Sequence, residues 1–144
     1  PSVIGWYYQR NVEPIDDDTA AQGKRHVMFS NDKLGKSAHM LQGFPVDGRE
    51  VGGLRFAAQV KLRNVRPGSS RDKVPLFLFV FYDEDRKEVG TGVVGPFIGS
   101  QPWGPTQKLI RVPVQTREAI LRVGLFGGIG EFSIDDVKIQ AVKR

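Results

Sequence analysis

A chain of 144 residues with a formal charge of +5 and no cysteine fits one domain able to bury a core without disulfides, and thiol chemistry is excluded. Its longest apolar run, residues 74–82, is far too short for a membrane span and contains Pro75, so no membrane partner is expected. The basic residues are scattered along the chain rather than clustered, which reads as a solvated surface and gives no reason to expect a nucleic-acid partner.

Residues 3–10 (VIGWYYQR) are β-branched and aromatic, a strand by propensity. Residues 12–23 carry Pro14, the run Asp16-Asp17-Asp18 and Gly23, a loop composition. A short strand over 24–30 and a polar turn over 31–35 follow, then extended structure over 37–46 and a turn at Asp47-Gly48. In residues 54–62, Leu54, Phe56, Ala58, Val60 and Leu62 share one parity while Arg55, Gln59 and Lys61 share the other, as in a strand with one buried face. Residues 74–82 are apolar at both parities and predict a central strand covered on both sides. A weaker, glycine-rich strand is expected over 88–97, a long irregular connection over 98–106 and another strand over 108–114.

The last quarter, residues 119–142, organises the rest. Leu121, Val123 and Leu125 alternate with Ile120, Arg122 and Gly124, and Gly127, Gly128 and Gly130 supply a tight turn into a return strand, so a hairpin is predicted. In the return strand Phe132 and Ile134 share one parity, but Val137, Ile139 and Ala141 share the other. A β-bulge at Asp135-Asp136 repairs the phase. The total is eight or nine short strands without helical periodicity, which predicts one all-β domain over residues 1–144, an antiparallel two-sheet β-sandwich or jelly roll.

Catalytic signals are weak, and the chain does not read as an enzyme. His26 and His39 lie in strand-like segments, away from metal-ligand spacing to another histidine. No Gly-x-Ser-x-Gly elbow occurs. Gly35-Lys36-Ser37 lacks the leading glycine of a phosphate loop, and Gly128-Ile129-Gly130 has Ser133 where a dinucleotide fingerprint needs its third glycine. Both read better as strand turns.

Aromatic residues carry the positive signal. Sugars offer apolar ring faces and hydroxyl edges, so their sites combine flat aromatic side chains with hydrogen-bonding groups. Trp6, Tyr7, Tyr8, Tyr82, Phe97 and Trp103 are the candidates, each of which has core packing as its plain alternative. Trp103, in Pro102-Trp103-Gly104-Pro105, is the best surface candidate, with a plug at one end of the sandwich as its alternative role. The expected ligand-binding residues are Trp103 and Tyr82, with His39 and Gln42 as polar neighbours.

The series Trp103, Ile110-Arg111-Val112-Pro113, Ala119, Arg122-Val123-Gly124-Leu125, Gly128-Ile129-Gly130-Glu131-Phe132 and Ile134-Asp135-Asp136-Val137-Lys138-Ile139 resembles the C-terminal half of family 4/9 carbohydrate-binding modules. Gly5-Trp6, the stretch 38–44 with Gln42, residues 54–62 and Phe81-Tyr82-Asp83 fall in the same order. That resemblance implies a galactose-binding-domain-like jelly roll that binds a polysaccharide or oligosaccharide without cleaving it. It also implies a structural calcium ion, with Asp135 among its ligands. The implied setting is an accessory domain excised from a larger secreted, cell-surface or periplasmic protein, in contact with that protein's other domains. The rival reading is a structural or adhesion sandwich that packs against neighbouring domains and binds no sugar.

Overall fold

In a computed structural model, the structure describes residues 7–10, 12–16, 25–31, 39–69 and 73–144, with side chains described for 27–30, 40–69 and 73–144. Among the described residues ten strands follow one another: β1 (Tyr7–Arg10), β2 (Val12–Asp16), β3 (Arg25–Asn31), β4 (His39–Pro45), β5 (Val51–Arg66), β6 (Leu76–Tyr82), β7 (Glu88–Val94), β8 (Gly99–Arg111), β9 (Glu118–Gly124) and β10 (Ile129–Lys143). They form two five-stranded sheets, in the orders β1-β4-β9-β6-β7 and β2-β3-β10-β5-β8. All pairings are antiparallel, and the expected two-sheet sandwich is what the chain forms.

The core lies between the sheets. From the first sheet come Met40, Phe77, Phe79, Phe81, Ala119, Leu121 and Val123; from the second come Phe29, Leu54, Phe56, Val60, Leu62, Phe132 and Ile134. Phe77 sits at its centre, with ring centroids 4.6 Å from Phe56, 5.9 Å from Phe132 and 6.1 Å from Phe97. Phe97 also stacks on Phe132 at 5.5 Å, so this aromatic is packing rather than a surface platform. At the seam between the edge strands β7 and β8, Gly90 and Gly92 are required by close approach. A Cβ on Gly92 would run into the side chain of Ile110, and one on Gly90 would meet Pro113 Cγ at 2.9 Å.

Three sequence expectations need correction. The expected hairpin of the last quarter is a crossover: β9 belongs to the first sheet, between β4 and β6, and β10 to the second, between β3 and β5. Phe126 (φ +50°), Gly127 (φ +90°) and Gly130 (φ +121°) bend the chain between layers, whereas Gly128 takes no positive φ. Residues 12–16 are a strand despite Pro14, because β2 is an edge strand, paired among the described residues with β3 alone, and a proline there costs no second ladder bond. The supposed connection over 98–106 is likewise the first half of β8, whose edge position tolerates Pro102 and Pro105.

The expected bulge in β10 is present. Asp135 pairs with Gln59 and Lys138 with Ala57, so two residues, Asp136 and Val137, stand opposite the single Ala58. Asp136 takes the left-handed conformation this needs, at φ +51°. Val137 and Ile139 consequently pack against the core, while Ala141 lies exposed.

Candidate functional site

Because antiparallel partners project to the same face, the register of the first sheet sorts its side chains into two sets. Met40, Val123 and Phe77 form one inner row, and Phe44, Ala119 and Phe81 another. The outer rows are Leu41–Arg122–Leu78, Gly43–Ile120–Val80 and Pro45–Glu118–Tyr82. Four of these nine are large aliphatics, an unusual content for a face turned away from the core. Val80 is 4% exposed, and Leu41, Leu78 and Ile120 are half-buried. The same pattern explains why residues 74–82 are apolar at both parities.

A cleft of about 370 Å³ opens on this face, lined by Leu41, Gly43, Phe44, Pro45, Ile120, Glu118, Arg86 and Arg117. Gly43 supplies its space. A Cβ built there would find nothing nearer than the Ala119 carbonyl oxygen at 4.0 Å, so the missing side chain leaves room above Ile120.

Two arginines are brought to the cleft by local geometry. In the turn between β6 and β7, Asp83 Oδ1 accepts the backbone N–H groups of Asp85 and Lys87, both at 2.9 Å. The Arg86 N–H donates to the Asp83 carbonyl at 3.0 Å, and Arg86 takes φ +61°. Arg117 donates its backbone N–H to the Tyr82 carbonyl at 2.8 Å, which ties it to the end of β6. Its Nη1 donates to the carbonyls of Thr116 at 2.8 Å and Val114 at 3.1 Å, and lies 3.7 Å from Asp47 Oδ1. Asp47 is matched first by Arg49, whose Nε and Nη2 each reach a different carboxylate oxygen at 3.0 Å. Those hydrogen bonds, joined by one from the Arg49 N–H, lower the Asp47 pKa to about 2.

The residues expected from sequence are not gathered in one place. Tyr82 lies in the outer row beside Glu118 and is half-buried. Gln42 pairs with Leu121, which is fully buried, and so falls in an inner row. His39 occupies the start of β4, opposite Gly124, six positions along the strand from Pro45 and thus about 20 Å from the Tyr82 end. Trp103 is half-buried on β8 of the other sheet, where it and Pro102 stand opposite the single Lys61 in a second bulge. It is seven residues from Ile110, the residue facing Gly92, which puts it about 23 Å along the strand from that level. Trp6 lies outside the described residues, as do the side chains of Tyr7 and Tyr8.

Asp135, the expected calcium ligand, accepts the Asp136 N–H on Oδ1 at 2.8 Å. The neighbouring Asp136 Oδ2 lies 3.5 Å from Lys138 Nζ. Calcium takes six to eight oxygens, and no group of three or more His, Asp or Glu that could hold a metal occurs among the described residues.

No family model matches the sequence, and no curated protein matches it. Solved structures do. The chain aligns over 96% of its length with the enzymatically active domain of bacteriophage CBA120 tailspike protein 4, at TM-score 0.71 and 14% identity, and spans 20% of that chain. Two similar structures are matched nearly whole. One is the family 22 xylan-binding domain from Paenibacillus barcinonensis (TM-score 0.57, 13% identity, 97% of this chain and 87% of that one). The other is a family 61 module in complex with β-1,4-galactotriose (TM-score 0.55, 18% identity, 95% and 88%). The fold is the two-sheet jelly roll that these structures share. At these identities the likeness concerns the fold alone, and the neighbours carry family numbers 22 and 61 rather than the expected 4/9.

Sequence reasoning passed over Leu41, Gly43, Ile120, Arg86, Arg117 and Glu118. The aliphatics had a signal: Ile120 and Leu41 occupy the parity that a solvent face fills with polar residues. The arginines had none, because they converge from a turn and from the approach to a distant strand.

Proposed function

We propose that this domain is a non-catalytic carbohydrate-binding module that holds a polysaccharide on the outer face of the β1-β4-β9-β6-β7 sheet. The observation that carries the reading is the cleft itself. Leu41, Pro45 and Ile120 give it an apolar lining for sugar ring faces, and Arg86, Arg117 and Glu118 give it hydrogen-bonding groups for sugar hydroxyls. Tyr82, adjacent to Glu118 in the register, supplies an aromatic neighbour. The fold shared with sugar-binding modules supports the same reading. Hydrolysis of a glycosidic bond ordinarily takes a pair of carboxyl groups, and Glu118 is the one acid lining the cleft among the described residues. The setting we infer is a module within a larger secreted or cell-surface protein.

The test is a broad glycan array on the wild-type domain and on Gly43→Val. Since a Cβ at Gly43 meets nothing nearer than 4.0 Å, the variant is expected to fold, with its valine filling the cleft, and its melting temperature is measured alongside. Binding by the wild type and its loss in the variant are the expected results. Binding that survives the substitution moves the site elsewhere. A wild-type domain that binds no glycan favours the adhesion reading, which has its own observation: Ile98 and Leu109, each 58% exposed, and Val114, 48% exposed, on or beside the edge strand β8.

A further inference from the structure

We infer that the cleft selects an acidic glycan, with Arg86 and Arg117 binding the carboxylate of a uronic acid residue. The inference rests on the glycan-binding reading above and adds the chemistry of the sugar. Two arginines and one acidic residue, Glu118, line the cleft. Arg122, exposed in the next outer row between Leu41 and Leu78, extends the positive side of the face.

Two of the nearby acids are already engaged. Both oxygens of Asp47 are held by Arg49 at 3.0 Å, and Arg117 is the more distant cation at 3.7 Å. Asp83 spends Oδ1 on two N–H groups of its own turn. Arg117 uses Nη1 for the Thr116 and Val114 carbonyls, which fixes its guanidinium in place and leaves the other edge of the fork for a ligand. The second observation is conformational. Arg86 occupies a left-handed turn position, φ +61°, where glycine or asparagine is the easy choice. Arg86 thus holds a strained conformation at the rim of the cleft. A planar, bidentate donor suits the paired oxygens of a carboxylate, the acidic group we name, and the sulfated arm of the experiment below separates it from sulfate.

The experiment measures binding by calorimetry to matched polymers that differ only in charge: polygalacturonate against its methyl ester, and glucuronoxylan against its carboxyl-reduced form. A sulfated polymer, heparin, forms a third arm. The expected result is at least tenfold tighter binding to the acidic member of one pair at low salt, with the ratio falling as salt rises. In Arg86→Asn, which suits the left-handed position, and in Arg117→Gln, the ratio collapses toward one. Equal binding to acidic and neutral members, or a ratio unchanged in Arg86→Asn, overturns the inference and leaves the glycan-binding reading standing. Binding to heparin alone overturns it in favour of sulfate. Binding to no polymer here or on the array removes both.

Discussion

Asp136 donates its backbone N–H to Oδ1 of Asp135 at 2.8 Å, and these two neighbours build the bulge that returns Val137 and Ile139 to the core side of β10. The left-handed φ of +51° at Asp136 is one that aspartate accepts and a β-branched residue does not. Asp136→Val should therefore destabilise the domain by roughly 1–2 kcal/mol, and Asp136→Gly by no more than a few tenths. Chemical denaturation of the pair checks it; equal loss in both would place the cost in the side chain rather than the backbone.

Asp135 gives a related expectation. With Oδ1 engaged in the bulge and no metal-binding cluster among the described residues, chelator is expected to leave the melting temperature of the wild type unchanged, while Asp135→Ala lowers it. A fall in melting temperature on chelation alone would instead show a structural calcium ion.

The Asp47–Arg49 pair predicts an acid-range effect. The Asp47 pKa lies at about 2 in the folded protein, below its ordinary 3.8, because Arg49 hydrogen-bonds its charged form. A lowered folded-state pKa means the folded state holds its proton less tightly than the unfolded chain. The pair's contribution is thus present above about pH 4 and is lost as the pH falls toward 2. In Asp47→Asn, the stability–pH curve should be flatter across that window and parallel to wild type above it. Unchanged slopes would show the pair contributes nothing to folding.

The seam between β7 and β8 can be tested by a double-mutant cycle. Gly92→Ala drives a methyl into Ile110 and should cost roughly 1–3 kcal/mol. Ile110→Ala removes the obstructing carbons, so the double variant should be more stable than the sum of single losses implies. Strict additivity would mean the sheets part at this edge to relieve the clash.

Two aromatics separate the candidate faces. Tyr82→Ala should weaken glycan binding by roughly 1–2 kcal/mol with a small effect on melting. Trp103→Ala, on the other sheet, should leave binding intact. A reversal of these outcomes would put the glycan on the β8 edge.

The sequence carried the strands because their signals are local. Leu54 to Leu62 alternate, and the parity break between Ile134 and Val137 located the β10 bulge to within a residue. It did not carry the pairing. The glycines after Leu125 look like a hairpin turn, yet whether β10 returns beside β9 or crosses to the other sheet depends on partners far away in the chain, β3 and β5. Edge strands were lost for a similar reason. Pro14, Pro102 and Pro105 argue against a strand only when both sides need ladder bonds, and edge position is a property of the assembled sheet. The cleft shares that limit, since Arg86, Arg117 and Gly43 become neighbours only through β9.

The central strands β9 and β10 also set when the domain can exist during synthesis. Remove β9 and the first sheet falls into two unconnected pairs, β1-β4 and β6-β7; remove β10 and the second falls into β2-β3 and β5-β8. A nascent chain that has emerged only as far as β8 can therefore complete neither sheet, and the inner edges of β3, β4, β5 and β6 wait unpaired. Folding on the ribosome must be held until the last quarter of the domain clears the exit tunnel, and its arrival then closes both sheets together. A ribosome stalled just before residue 118 should leave the domain as protease-sensitive as an unfolded chain, and release of the remaining residues should convert it to the resistant form in one step.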